Sequence, residues 1–300
     1  MKNKMTLITM CSSRSRPEIF LRMAKSFVET KEGANSFLVA YVYENDPMVE
    51  SYKKINLSGM SCVDIIYGKD RCMVEVLNYI STELFPDADF YSEANDDHTF
   101  VTIGWDMKMI DAICNKNNGF SIAYGKTEYL PTATMCSGSV VRGLGYFFPP
   151  EYKHSWVDNW LVTIGFETNI LTYLQDVIIE HTHPAFSLAK RDLTYKYAEQ
   201  DSVHGKEVFE KWLIEQKDND CKIIGSLKLE KKQIKLIGDY EIFKKVFWSK
   251  NSNSVIKLSV VPKNLLQKHR IPIDFNPDHP DWKIPSKQFR YRIMIEEAGL

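Results

Sequence analysis

The chain has 300 residues, of which 44% are hydrophobic, 12% aromatic and 26% charged. This globular profile holds ample material for a core and excludes a disordered chain or a coiled coil. No apolar run approaches the ~20 residues that span a bilayer. The six scattered cysteines include no CxxC pair, which excludes zinc-finger spacing and a dense disulfide scaffold and points to reduced thiols in a cytoplasm.

Met1–Met10 is too short in apolar residues for a secretory signal and reads as the lead into a first strand, Met5–Cys11. Pro17 opens a helical pattern in which Ile19, Met23 and Phe27, with Phe20, Ala24 and Val28, form one apolar face, and Gly33 suits its stop. A second strand, Phe37–Tyr43, ends at the turn-prone Asn45-Asp46-Pro47, and Val63–Tyr67 is a third. Met73, Val76, Leu77, Ile80 and Leu84 mark another helix face. A fourth strand, Ala88–Glu93, runs into Asn95-Asp96-Asp97-His98, and a helix over Trp105–Asn115 and a strand over Phe120–Tyr124 follow. Thr127–Gly138 is polar and reads as a mobile loop, and His204–Gln216 reads as an amphipathic helix.

Strands alternating with helices predict an α/β, Rossmann-like fold with a mostly parallel central sheet and flanking helices. Ligands in such sheets bind beyond the carboxyl ends of the strands. The expected division is a catalytic domain over 1–217 and a C-terminal accessory region over 218–300. That region carries sixteen Lys/Arg against ten Asp/Glu. A basic end suits an anionic partner, and equally a solvated lysine face.

Four segments carry candidate chemistry. Adjacent carboxylates at Asp96 and Asp97 repel unless a cation or hydrogen-bond donors offset the charge. With a neighbouring imidazole they suit Mg²⁺ or Mn²⁺, and as a bare sequence they equally suit a solvated turn. In Glu180-His181-Thr182-His183-Pro184, a strand would place His181 and His183 on one face, fit for one cation or for two satisfied polar side chains. Asp158 lies between Trp156 and Trp160, where it could cap a helix, act as a general base, or do both. Arg14 and Arg16 precede a helix start that adds a positive dipole end, an arrangement suited to phosphate. GxxxxGK[ST], GxGxxG, GxSxG and HExxH are all absent.

In order and spacing these pieces resemble a GT-A-fold glycosyltransferase of the family-two-like, bacterial or phage type, over roughly residues 4–200. Ser13-Arg14-Ser15-Arg16-Pro17 resembles the loop after the first strand. Tyr43-Glu44-Asn45-Asp46-Pro47 resembles the acidic strand end that touches the nucleoside. Asn95-Asp96-Asp97-His98, followed by Gly104-Trp105-Asp106, resembles the Asp-x-Asp-type motif. Trp156-Val157-Asp158-Asn159 resembles the acceptor-side acidic motif, and Glu180 to Pro184 the C-terminal histidine motif. The acidic pair departs from strict Asp-x-Asp, and Val157-Asp158 stands where Glu-Asp is usual.

The resemblance implies transfer of a sugar from a nucleotide-sugar, UDP-linked, to an acceptor hydroxyl with inversion. It implies Mn²⁺ or Mg²⁺ held by Asp97 and His183, with Asp96 and His181 next. It implies donor contacts from Arg14, Arg16, Asp46, Arg71 and Asp96, and Asp158 as base. The expected acceptor is a glycan, or hydroxymethylated pyrimidine in phage DNA bound through the basic end of the chain. A nucleotidyltransferase is the alternative enzyme class, but its usual Gly-rich loop with a lysine is missing after the first strand. A catalytically inactive nucleotide-binding module with the same fold is the other alternative. The expected location is the cytoplasm, with no membrane span.

Overall fold

A computed structural model describes residues 5–115, 119–125, 133–182 and 193–227. The chain divides into two compact units, Met1–Glu230 and Lys231–Leu300, and the described residues all belong to the first. His183, part of the Thr127–Gly138 segment and nearly all of the basic C-terminal region lie outside them.

The elements are β1 (Leu7–Ser13), α1 (Pro17–Thr30), β2 (Ser36–Tyr43), α2 (Val49–Lys53), β3 (Val63–Gly68), α3 (Met73–Asn78, continued by a π-helical stretch Tyr79–Leu84), β4 (Phe90–Glu93) and β5 (His98–Phe100). They continue with α4 (Trp105–Asn115), β6 (Phe120–Tyr124), β7 (Thr134–Ser137), α5 (Gly138–Leu144), α6 (Val157–Glu167), β8 (Leu171–His181), α7 (Leu193–Glu215) and α8 (Lys217–Ser226).

Among the described residues, eight strands form one sheet in the order β3-β2-β1-β4-β7-β6-β8-β5. The half from β3 to β4 is parallel, with α1 crossing from β1 to β2. The other half is mixed, since β7 runs antiparallel to both β4 and β6, β6 and β8 are parallel, and β5 is antiparallel to β8. The largely apolar runs of β1 and β2, buried at nearly every position, follow from a sheet covered on both faces.

One core fills the face under α1 and α4. Phe20, Met23, Ala24 and Phe27 of α1 are fully buried there, spaced at the three- and four-residue intervals of a helix stripe. Phe27 meets Phe100 edge-on at 5.5 Å, and Phe100 meets Trp105 at 4.6 Å. The opposite face holds Tyr91, Phe148, Trp160 and Trp212, with Trp160 edge-on to Phe148 at 5.9 Å and to Trp212 at 6.2 Å.

Several expectations shift. Ser12 and Ser13, read as loop, extend β1, because their backbones pair with Tyr41 and Val42. Residues 134–137 of the segment read as a mobile loop form β7, paired on both sides. The expected division between residues 217 and 218 falls inside α8. There Asp220 is buried and accepts hydrogen bonds from Trp212 Nε1 at 2.8 Å and the Tyr146 hydroxyl at 2.7 Å, tying α8 to α7 and to the segment after α5. Among the described residues, no helix is long and apolar enough to cross a membrane.

Candidate active site

The polar side chains gather beyond the carboxyl ends of β1, β4 and β8, where an open α/β sheet places its ligands. Asp96 and Asp97 follow β4 in a tight turn and are both buried. The end of β8 is fixed to that turn by a hydrogen bond from the Thr182 N–H to the Asp97 carbonyl at 3.1 Å.

Asp96 is held from two sides. Its Oδ1 accepts from Arg16 Nη1 at 3.0 Å and its Oδ2 from the Ser13 hydroxyl at 2.9 Å. Because Ser13 donates to Asp96, the Tyr52 hydroxyl donates to Ser13 across 2.6 Å, and the Arg16 N–H donates to Tyr52 at 2.9 Å. Burial pushes the Asp96 pKa up to about 6, with Arg16 opposing the shift and Asp97 adding to it.

Arg16 is buried and also lies 3.8 Å from Asp97. It is therefore the internal counter-cation of the acidic pair rather than an arm extended toward phosphate. Arg16→Gln leaves two buried carboxylates without that cation and should cost about 3 kcal/mol of stability. Thermal unfolding measures this. Saturating Mn²⁺ should return part of the lost melting temperature by mass action, and no recovery would place the cation site away from this pair.

Asp97, His98 and His181 form a buried cluster whose ligand atoms lie within 4.8 Å of one another. His181 Nε2 is 3.2 Å from Asp97 Oδ1. His98 and His181 are directly paired across β5 and β8, with ring centroids 4.9 Å apart and edge to face. Burial, then the neighbouring His181, pushes the His98 pKa down to about 3, so this ring is neutral. Its Nε2 is buried without a hydrogen-bond partner among the described residues, and its Nδ1 accepts from the Asn95 N–H at 3.3 Å. Ligation through either nitrogen needs only that long contact to be given up. One carboxylate and two imidazoles, one with an unsatisfied nitrogen, fit a divalent cation.

The sequence joins His181 to His183 on one strand face, and the structure adds a partner for His181 across the sheet. His181 meets His98, and His183 lies outside the described residues. Sequence reasoning named His98 within its motif but did not assign it as a ligand. The missing signal was non-local, because a three-residue strand starting at His98 must pair with the end of β8.

Asp46 anchors a loop. Its Oδ2 accepts from the Ser15 N–H at 2.8 Å and the Ser15 hydroxyl at 3.1 Å, and its Oδ1 accepts from the Met48 N–H at 2.7 Å. These bonds hold Ser15 at φ +56°, a left-handed conformation, and so set the course of the chain between Arg14 and Arg16. Arg14 lies over the Tyr43 ring at 4.9 Å and 3.7 Å from Asp70. Arg71 lies over Tyr79 at 4.0 Å. Two stacked guanidinium groups thus border the carboxyl ends of β1 to β3, on the other side of the acidic pair from the histidines.

Asp158, expected as a possible cap, lies instead in the first turn of α6, two residues past the cap position. The cap residue itself is Trp156, with φ +73° and no side-chain cap bond. A left-handed tryptophan costs roughly 1–2 kcal/mol and is held by its ring against Phe209 at 5.6 Å. The carboxylate of Asp158 gains from the positive helix end.

Glu93, at the end of β4, was not singled out from the sequence. Its residue is half-buried, yet its carboxyl is enclosed, and that enclosure, followed by the charge of Asp158, pushes its pKa well up; a Thr134 hydrogen bond and His181 act the other way. Tyr152 is fully buried, and its hydroxyl has no hydrogen-bond partner among the described residues. Burial, then Asp158, raises its pKa too.

No family model and no curated protein matches the sequence. Solved structures do. Residues 1–349 of S. aureus TarS in complex with UDP, and the same protein in complex with UDP-GlcNAc, align at 9% and 8% identity, each with a TM-score of 0.50, covering 98% of this chain and 91% of that chain. The mannosyltransferase PcManGT from Pyrobaculum calidifontis, in complex with GDP-Man and Mn²⁺, aligns at 8% identity and 0.49, covering 97% of this chain and 87% of that chain. At such identities the likeness is one of architecture, and it shows that this chain has the mixed α/β, GT-A-like fold.

Proposed function

We propose that the chain is a glycosyltransferase that moves a sugar from a UDP-linked donor to an acceptor hydroxyl with inversion. The observation that carries this reading is the buried Asp97, His98 and His181 cluster, with Asp158 at a neighbouring helix start, in a GT-A-like fold. The TarS structures of the same fold hold UDP and UDP-GlcNAc.

Asp97, His98 and His181 would hold Mn²⁺ or Mg²⁺, and His183 is placed beside them by sequence alone. The cation, when bound, stabilises the charge that develops on the departing diphosphate. Arg14 and Arg71 border the space for the nucleotide, while Arg16 and Asp46 shape the loop between them. In the single displacement the bond from the anomeric carbon to the diphosphate oxygen breaks and a bond to the acceptor oxygen forms. Asp158 takes the acceptor proton as the oxygen attacks. A glycan is the acceptor proposed first. Hydroxymethylated DNA, bound through the basic C-terminal region, is the second, and such binding would weaken steeply with salt.

The test is a thermal-shift panel of nucleoside diphosphates, nucleoside triphosphates and nucleotide-sugars with and without Mn²⁺. A Mn²⁺-dependent rise with UDP and one UDP-sugar is expected. A shift confined to a triphosphate, with pyrophosphate release, would replace the reading with a nucleotidyltransferase. Asp158→Asn should leave the UDP shift intact and lower UDP release from the donor at least ~10²-fold, the scale of a general base. Near wild-type turnover would leave Asp158 as a helix-start residue only, and a retained anomer in the product would overturn the inverting mechanism.

A further inference from the structure

The segment that leads into α6 is gripped from outside by one stripe of α7. Asp201 Oδ2 accepts from the His154 N–H at 3.1 Å and from the Ser155 N–H at 3.0 Å. One turn on, His204 Nε2 meets the Glu151 carbonyl at 3.2 Å. Gly205 is buried so close to the segment that a Cβ there would lie 2.5 Å from the Ser155 carbonyl oxygen and 3.0 Å from the Trp156 side chain. Phe209 completes the stripe against the Trp156 ring at 5.6 Å. From the other side, the Lys153 carbonyl accepts from the Val74 N–H at 3.1 Å, at the start of α3.

The chain then turns at Trp156, whose φ of +73° is left-handed, and α6 starts at the next residue with Asp158 second in it. A strained φ persists only where its surroundings over-determine it. Here α7 supplies that determination. It offers a charged acceptor to the two N–H groups just before the turn, a residue without Cβ where the backbones touch, and a ring beside the tryptophan. Hydrogen bonds to a carboxylate are the stronger kind. A change of angle at the turn swings the whole first turn of α6, and the Asp158 carboxylate moves with it.

We propose that Asp201 is a positioning residue for Asp158: by tying the His154 and Ser155 N–H groups to α7 it fixes the turn at Trp156, and that turn fixes where α6 presents the Asp158 carboxylate. The proposal rests on the reading of Asp158 as base. Asp201 acts through the backbone, so its effect belongs to kcat and not to donor binding.

Asp201→Asn keeps an oxygen that accepts from both N–H groups and should hold kcat within a few-fold of wild type. Asp201→Ala removes the acceptor and should lower kcat by roughly 10- to 10²-fold, the scale of a reacting group misplaced by up to an ångström. Gly205→Ala presses a methyl group on the Ser155 carbonyl without removing any charge and should lower kcat by a comparable factor, although alanine favours the helix itself. The readout is UDP release from the UDP-sugar that the thermal-shift panel selects, with water as acceptor, beside the Mn²⁺-dependent UDP shift. That shift and the KM for donor should hold in all three variants. In the Asp158→Asn background, Asp201→Ala should cost nothing further, because a residue acting through Asp158 has nothing left to orient.

Wild-type kcat in Asp201→Ala or Gly205→Ala, an equal loss in Asp201→Asn, a full further loss in the double variant, or a loss of cooperative unfolding together with the UDP shift overturns the proposal and leaves the glycosyltransferase reading standing. Undiminished UDP release in Asp158→Asn overturns the base assignment with it, and no UDP release by the wild type from any donor in the panel overturns the glycosyltransferase reading itself.

Discussion

Asp97→Ala is expected to abolish the Mn²⁺-dependent nucleotide shift and to lower turnover about 10³-fold, with the fold intact. Asp97 is the one carboxylate of the candidate cation cluster among the described residues, and the two partners left behind are imidazoles. Hard cations such as Mg²⁺ and Mn²⁺ favour oxygen ligands, so the loss falls on the ligand type they most need. Charge stabilisation by a bound cation is worth several kcal/mol, and each ~1.4 kcal/mol is tenfold in rate. Stability should move the other way. Asp96 keeps its 3.0 Å bond to Arg16 and loses a like charge next to it, so the melting temperature without metal should hold or rise. Asp97→Asn keeps the shape without the charge and should behave like the alanine variant in turnover. Turnover with and without chelator, beside unfolding curves, checks both halves. A variant that loses activity by unfolding would give Asp97 a structural role instead.

The sequence-to-structure correspondence is strongest where the determining interactions are local. The α1 stripe, the strands around Phe37–Tyr43 and Phe120–Tyr124, and the helix over Trp105–Asn115 each have a periodicity or apolar run legible within a dozen residues. The site is legible where a motif closes on itself, as with Asp96 and Asp97 after β4. It is not legible where function is made by pairing. His98 and His181 are 83 positions apart and meet only because β5 pairs with β8. Arg16 and Asp46 carry the residue types expected at a nucleotide site, but the structure directs both inward. Arg16 neutralises the acidic pair, and Asp46 fastens Ser15 and Met48. Residue type in a loop is visible in sequence, whereas the direction in which its polar end is used depends on neighbours brought from elsewhere.

The same point gives the largest expected stability effect to a residue that makes no site contact. Asp106, in the first turn of α4, is fully buried. Its Oδ1 accepts from the Glu32 N–H at 3.0 Å, and its Oδ2 accepts from the Gly33 N–H at 2.8 Å and the Ser36 hydroxyl at 2.5 Å. These donors belong to the turn that leads α1 into β2, and Thr30 in that region also accepts from the Gly104 N–H at 2.7 Å. Asp106→Ala would leave two part-buried backbone donors and a buried hydroxyl without their acceptor. At ~1–3 kcal/mol for each stranded group, less what relaxation restores, the loss is about 4 kcal/mol. For a unit of this size that is a fall of roughly 10 °C in melting temperature. Asp106→Asn should recover little, because its NH₂ would face donors in place of one acceptor oxygen. The site lies beyond the carboxyl ends of the strands and Asp106 serves the opposite side of β2, so the UDP shift and its Mn²⁺ dependence should survive below the lowered melting temperature. Calorimetric unfolding with and without UDP measures both quantities on one sample. An unchanged melting temperature would mean that the turn finds other acceptors, and a lost UDP shift in a folded variant would connect the turn to the nucleotide site through β2.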